Sequence, residues 1–416
     1  MRQDVVRARS TLLPQVLGQI SYLAADSPIS PLEGIVPDDA LFGGIVVSQS
    51  IFDDKRWTLY RASRHLAEVS QHERESSRLD VLRNAGATFM NLGLARALYR
   101  IQAGNVELTE DFLEIAKLRV DFGISGQEDV LLWESVRARQ KGALFTAAQK
   151  VRSVQTVLDQ IMSVEQNRSW QTEDLTGDWK SFFALTQRII QALENMDSVE
   201  RFRGIAAEIA LRQAPEIAAL DEAVAAQRLR LNSAKRSFWL PSFAANFGYI
   251  NELTGETVKL PGADDDFWTA EVRARYPLFE GGRRFGNKGR AKADLEGLRY
   301  REALAREMIE LNTRTVVEAT EGLYPRIGFN QTASAAAQRN LEIVTDQYSE
   351  GAKNITDLLS AQNNYFIAEQ LTVTAIYEFL GQLVQLQRAL SWFEYDRSLE
   401  EQEELFREIE DRLAGS

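Results

Sequence analysis

The chain contains no cysteine, so a disulfide framework, a thiolate metal site, a cysteine nucleophile and a lipidated N-terminal cysteine are all excluded. Histidine is nearly absent too: His65 and His72 stand seven apart on one helical face, and no third ligand follows at metal spacing. No run of about 18 apolar residues exists, so no transmembrane helix is visible by length. The opening MRQDVVRARSTLLPQV lacks the apolar core of a signal peptide. Positive charge is the minority sign: 48 Lys and Arg against 60 Asp and Glu leave a net charge of −12. That balance argues against nucleic acid as a partner, because phosphate binding needs a clustered excess of Lys and Arg. No grouping of nucleophile, base and orienting residue stands out, so neither an enzyme nor a cofactor site is expected. GGRRFGNKGR, Gly281 to Arg290, faintly resembles a phosphate loop but lacks the Gly-Lys-Ser/Thr ending, and reads instead as a bend from strand into helix.

What the chain does have is an internal echo. RSTLLPQV, Arg9 to Val16, returns as RSFWLPSF, Arg236 to Phe243, with Pro14 matching Pro241 at an offset of 227. Phe52 in SIFDDKRW and Phe279 in PLFEGGRRF keep the same offset, and Gly123 and Asp129 match Gly351 and Asp357 at 228. Register held over so many residues reads as two structural repeats, 1–214 and 215–416.

Each repeat follows one order. A helix ends where the residue before proline leaves the α region. A strand pair follows, expected at about 15–24 and 42–52, then at 242–250 and 267–278. In FWTAEVRARYPL the residues Trp268, Ala270, Val272, Ala274, Tyr276 and Leu278 alternate with Thr269, Glu271, Arg273 and Arg275, the period of a strand with one apolar face. Long helices then run over about 54–121 and 283–348, with Pro325 as their one interior proline. At 1.5 Å per residue each measures roughly 100 Å. Each turns at a glycine and returns as a second helix, at about 128–163 and 356–392. The second repeat also carries a helix at 214–235 ahead of its proline phrase where the first has only MRQDVVRA, so about 20 residues of the matching helix and a signal peptide are expected to be missing from the front. Glu400 to Leu413 reads as a charged helical tail.

Two strand pairs cannot make a stable closed sheet alone, whereas three chains would close a 12-stranded barrel with aromatic-flanked, alternating strands. With this order of elements, the chain resembles the TolC-like outer-membrane efflux proteins. The resemblance rests on RSTLLPQ and RSFWLPS, SIFDDKRW and PLFEGGRRF, and YSEGAKNITDLLSAQ, and covers essentially the whole chain. It implies a mostly α fold with a small β part: long helical hairpins form a trimeric α-barrel, continued by a transmembrane β-barrel with four strands per chain. It implies a passive, non-enzymatic exit duct in the outer membrane with a periplasmic extension, serving a tripartite efflux pump or type I secretion system. Its expected partners are two further copies of the chain, a periplasmic adaptor, an inner-membrane pump and outer-membrane lipid. The segment 165–203, containing SWQTEDLTGDWKSFFALTQ, would belong to a belt around the tunnel.

By the same resemblance Asp129, Tyr348, Lys353 and Asp357 match a periplasmic gate, Gly123 and Gly351 match the tip that meets the adaptor, and Pro14, Pro241, Phe52 and Phe279 are the turns at which strands begin and end. Lys353 stands where relatives often carry Arg, which replaces a bidentate contact with a point charge. Ser360 stands where some carry an acidic ring. Glu128 and Glu350 add negative charge nearby, and a threefold ring of Asp357 would favour cations at the mouth. The plainer alternative is that Asp129 and Asp357 are helix caps and the two glycines ordinary helix stops. Asp264, Asp265 and Asp266 read as a solvated loop. A soluble elongated helical scaffold and a periplasmic adaptor subunit remain as the competing functional classes.

Overall fold

The structure is a computed structural model and describes residues 2–24, 39–166, 168, 170, 175–177, 179–183, 190, 196–254 and 266–414. Asp264 and Asp265, and most of SWQTEDLTGDWKSFFALTQ, lie outside them. In chain order the elements are α1 (Arg2–Ser10), β1 (Gln15–Ala24), β2 (Asp39–Phe52), α2 (Asp54–Asp121), α3 (Gln127–Ile161), α4 (Met196–Gln213), α5 (Pro215–Arg236), β3 (Ser242–Thr254), β4 (Asp266–Arg275), α6 (Arg283–Ser349), α7 (Ile355–Ala389), a short 3-10 turn at Glu394–Asp396 and α8 (Leu399–Ala414). Helix dominates, with one small sheet. Among the described residues no helix is long and apolar enough to cross a membrane, a statement that does not bear on a β-barrel.

The chain divides into two compact units, 1–74 with 215–305 and 75–214 with 306–416. The first holds the sheet, an antiparallel meander in the order β1-β2-β3-β4. Its register pairs Val16 with Val47, Ile45 with Tyr249 and Tyr249 with Trp268, and the next rung joins Val47, Phe247 and Ala270. Because side chains alternate, Val16, Ile20, Ile45, Val47, Phe247, Tyr249, Trp268 and Val272 share one face, while Gln15, Gln19, Ser48, Asn246, Thr269, Glu271, Arg273 and Arg275 share the other. The apolar face is uncovered in the single chain: Ile20 is 77%, Trp268 68% and Val272 73% exposed. The edges of β1 and β4 have no partner strand among the described residues. At the foot of the sheet Arg236 donates from Nε to the Asp54 carboxylate at 2.7 Å, tying the end of α5 to the start of α2.

The second unit has two cores. Phe202, Ile205, Ile209, Phe379, Leu383, Trp392 and Phe406 belong to the larger one. The glutamate-rich C-terminal stretch joins it as α8, because Leu405, Phe406 and Ile409 fall on one helical face and are buried, Phe406 meeting Trp392 edge-on at 5.7 Å. Its charged side forms a ladder with α4, in which Arg212 reaches Glu408 at 2.7 Å and Arg412 reaches both Glu208 and Glu408. The second core is built from the adjoining ends of α2, α3, α6 and α7, and it positions the candidate site.

Candidate functional site

Both long helices stop by the same device. After α2, Ile124 N donates to the Arg119 carbonyl at 2.8 Å and Gly123 N to the Val120 carbonyl at 2.9 Å. After α6, Ala352 N donates to the Gln347 carbonyl at 2.8 Å and Gly351 N to the Tyr348 carbonyl at 3.1 Å. This double closure needs a left-handed residue, and glycine supplies it at φ 70° for Gly123 and 83° for Gly351. At Gly351 space is also limiting, since a Cβ would lie 3.3 Å from Ile124 Cγ2, so the two turns touch.

The helices that follow start with matching backbones, Gly126 at φ −92°, ψ 171° and Asn354 at φ −95°, ψ 171°. Asp129 and Asp357 each stand three residues further on, yet their carboxylates do different things. Asn354 caps α7: its side chain accepts from Asp357 N at 3.0 Å, and Asp357 accepts from Asn354 N at 3.4 Å, a reciprocal capping box. Gly126 has no side chain to offer, so no box forms and the Asp129 carboxylate accepts from the Tyr348 hydroxyl, at 3.4 Å.

Tyr348 is wholly buried. Arg119 lies over its ring at 4.0 Å and donates to its carbonyl oxygen. Burial and then the Asp129 charge push the Tyr348 phenol up, opposed by the Trp133 indole N–H and the Arg119 charge. The phenol is therefore protonated at neutral pH and serves as a donor. Phe112 and Trp133, 5.3 Å apart, pack beside it with Leu358 and Val344. One layer away, the buried Gln362 amide donates to Asn105 Oδ1 at 2.8 Å and Thr109 Oγ1 at 2.7 Å, and Thr109 lies 2.5 Å from Gln140 Oε1, so α2, α3 and α7 share one polar lock.

Of the four expected gate residues, the fold thus joins Asp129 to Tyr348, places Asp357 in a cap, and leaves Lys353 exposed with no ion pair to a described residue. Arg119, Trp133 and Asn354 escaped the sequence reading. Asn354 was findable, because Asn three residues before Asp at a helix start is a capping pattern. Arg119 was not, because the matching residue of the other turn is Gln347.

The strand-turn residues sit in the first unit. Pro14 and Pro241 immediately precede β1 and β3. Phe52 closes β2 opposite Phe243 after a register shift, and Phe279 is 87% exposed just before Gly281 and Gly282, which turn at φ 59° and 82° into α6. Among the described residues no three metal-ligating side chains converge, and His65 is engaged by Glu222 at 2.6 Å.

Residues 206–391 match the family described as Outer membrane efflux protein. The chain is 22% identical to the outer membrane efflux protein BepC of Brucella suis, over 90% of this chain and 76% of that protein. It is 21% identical to the pyoverdine export outer membrane protein OpmQ of Pseudomonas aeruginosa, over 93% of this chain and 79% of that one. Its fold superposes on the CmeC outer membrane channel of Campylobacter jejuni with a TM-score of 0.73 at 18% identity, covering 98% of this chain and 84% of that one.

Proposed function

We propose that this chain, outer membrane efflux protein by family over residues 206–391 and TolC-like in fold, is one protomer of a trimeric exit duct in the outer membrane of a tripartite efflux system. The observation that carries the reading is the open sheet. It has an apolar face that carries Ile20, Trp268 and Val272, an opposite face that bears most of its charged and amide side chains together with Leu17, Val46, Ile250 and Phe267, and, among the described residues, two bare edges. A water-soluble protein does not leave Trp268, Val272 and Ile20 bare on one face beside unpaired strand edges. Three copies joined edge to edge form 12 strands, turn the apolar faces to lipid and remove every edge.

In this reading the α2–α3 and α6–α7 turns are the periplasmic mouth, closed by the Asp129–Tyr348 contact with Lys353 and Asp357 beside it. Gly123 and Gly351 shape the tips that meet the adaptor, and an inner-membrane pump lies beyond it. The duct passes cargo and catalyses nothing. The names of the relatives, one for efflux and one for pyoverdine export, favour efflux over type I protein secretion.

The test is planar-bilayer conductance of the detergent-purified protein together with its oligomeric state. A trimer that inserts and gives small, discrete channels is expected. A detergent-independent monomer without conductance would instead leave the helical scaffold.

A further inference from the structure

The foot of the sheet carries charge opposite to that of the rest of the molecule. Two adjoining cavities, of about 570 and 230 Å3, share Asp53, Ser242 and Arg275. In a chain with a net charge of −12 they are lined by seven cationic side chains and three carboxylates. All three carboxylates are already engaged. Asp53 lies 3.7 Å from Arg56, Asp54 is held by Arg236 at 2.7 Å, and Glu280 holds both Arg283 and Arg284. Arg273 is taken by Glu271 at 2.8 Å. Lys55, Arg230 and Arg275 remain, and none of them has a carboxylate partner among the described residues; Arg230 only donates to the Gln227 amide oxygen at 3.3 Å. Uncompensated positive charge in a recess focuses the field and concentrates anions.

The side of the sheet is fixed by register. Ser48, Ser50, Ser242, Asn246, Arg273 and Arg275, all on the face opposite Trp268 and Val272, make up most of the strand lining of the smaller cavity, with Gln49 and Phe243 of the other face at its margin. In the proposed duct, on which this inference rests, that face looks into the lumen.

We infer that this recess is an anion-binding station inside the duct, where Arg275, Arg230 and Lys55 take a multiply charged carboxylate or phosphate group of a small molecule in transit. Arginine suits both groups, since its guanidinium meets two oxygens at once. Occupied three times around the duct, the station favours export of anionic cargo and selects against cations at the barrel, although carboxylates line the helical turns.

Citrate is the probe, added to the trimer in a planar bilayer at low KCl, where screening is weakest. It is expected to lower the KCl conductance saturably. Arg275→Gln should raise the half-blocking citrate concentration at least about tenfold, a change equivalent to 1.4 kcal/mol, and move the reversal potential in a KCl gradient toward cations. Arg275→Lys, which keeps the charge, should retain most of the block and controls for folding. If channels form but citrate does not block them, or blocks the Gln variant equally, the station is wrong and the duct stands. If no channels form in any variant, both fall.

Discussion

At the residue scale the two matching aspartates are the instructive pair. Asp357 has a sufficient structural reason to exist as half of a capping box, whereas Asp129 has none in its own helix and spends its carboxylate on a tyrosine from the other hairpin. Two substitutions separate the cap from the gate. Asn354→Ala removes the cap and leaves the charge, and should cost about 1 kcal/mol of stability with little change in conductance. Asp357→Asn keeps an oxygen able to accept from Asn354 N and removes only the charge, so it should leave the melting temperature nearly unchanged and raise single-channel conductance if the carboxylate helps to hold the mouth closed. Unchanged conductance in Asp357→Asn would reduce Asp357 to a cap. Tyr348 is fixed by burial, by the Arg119 stack and by a donated hydrogen bond, so of the proposed gate contacts the Tyr348–Asp129 pair is the one locked within a single chain.

At the element scale the four hairpin helices α2, α3, α6 and α7 end by one rule carried out with two residue types. α3 and α7 close as α2 and α6 do: Val164 N donates to the Asp159 carbonyl at 3.1 Å and Trp392 N to the Gln387 carbonyl at 2.9 Å. Here the left-handed residue is serine, Ser163 at φ 52° and Ser391 at φ 53°. An L-residue with a Cβ is strained in this region by roughly 1–2 kcal/mol relative to glycine. Ser163→Gly should therefore stabilise the protein by about 1 kcal/mol, offset in part by the freedom glycine gains when unfolded, read as a higher denaturation midpoint. A lower midpoint would mean that the serine hydroxyl does more than tolerate the turn.

The same contrast explains what could be read from sequence. The glycine stops at Gly123 and Gly351 announce themselves, and so does the strict alternation around Trp268, because both are local constraints that admit few residue types. The serine stops do not, because serine is common everywhere and only the hydrogen bonds reveal its role. The C-terminal EEQEELFREIEDRL was legible as a helix but not as a packed one. Its buried Leu405, Phe406 and Ile409 are few among many charges, and the surface that receives them, with Phe202 and Ile205, lies about 200 residues earlier. Long-range partners such as Arg119 with Tyr348 leave no local trace either.

At the scale of the whole molecule, the proposed function depends on one face of the sheet meeting lipid, and the register makes that proposal sharp. Ala270 and Thr269 are neighbours in β4 at almost the same height, one on the face of Trp268 and the other on the face of Arg273. If the apolar face is the lipid face, Ala270→Lys places a charge in hydrocarbon at roughly 2–4 kcal/mol per copy near the bilayer middle, and each assembled trimer carries three. Thr269→Lys points into water and joins a surface that already bears Arg273 and Glu271, so its cost should be close to nothing. Ala270→Lys should therefore leave the protein largely outside the outer-membrane fraction and abolish the trimer on native gels, while Thr269→Lys should insert normally and conduct. Equal tolerance of both would mean that neither face meets lipid. Failure of Thr269→Lys alone would reverse the faces, put Arg275 on the lipid side and remove the anion station with it. One pair of adjacent residues thus tests the orientation on which both the duct and its charged recess depend.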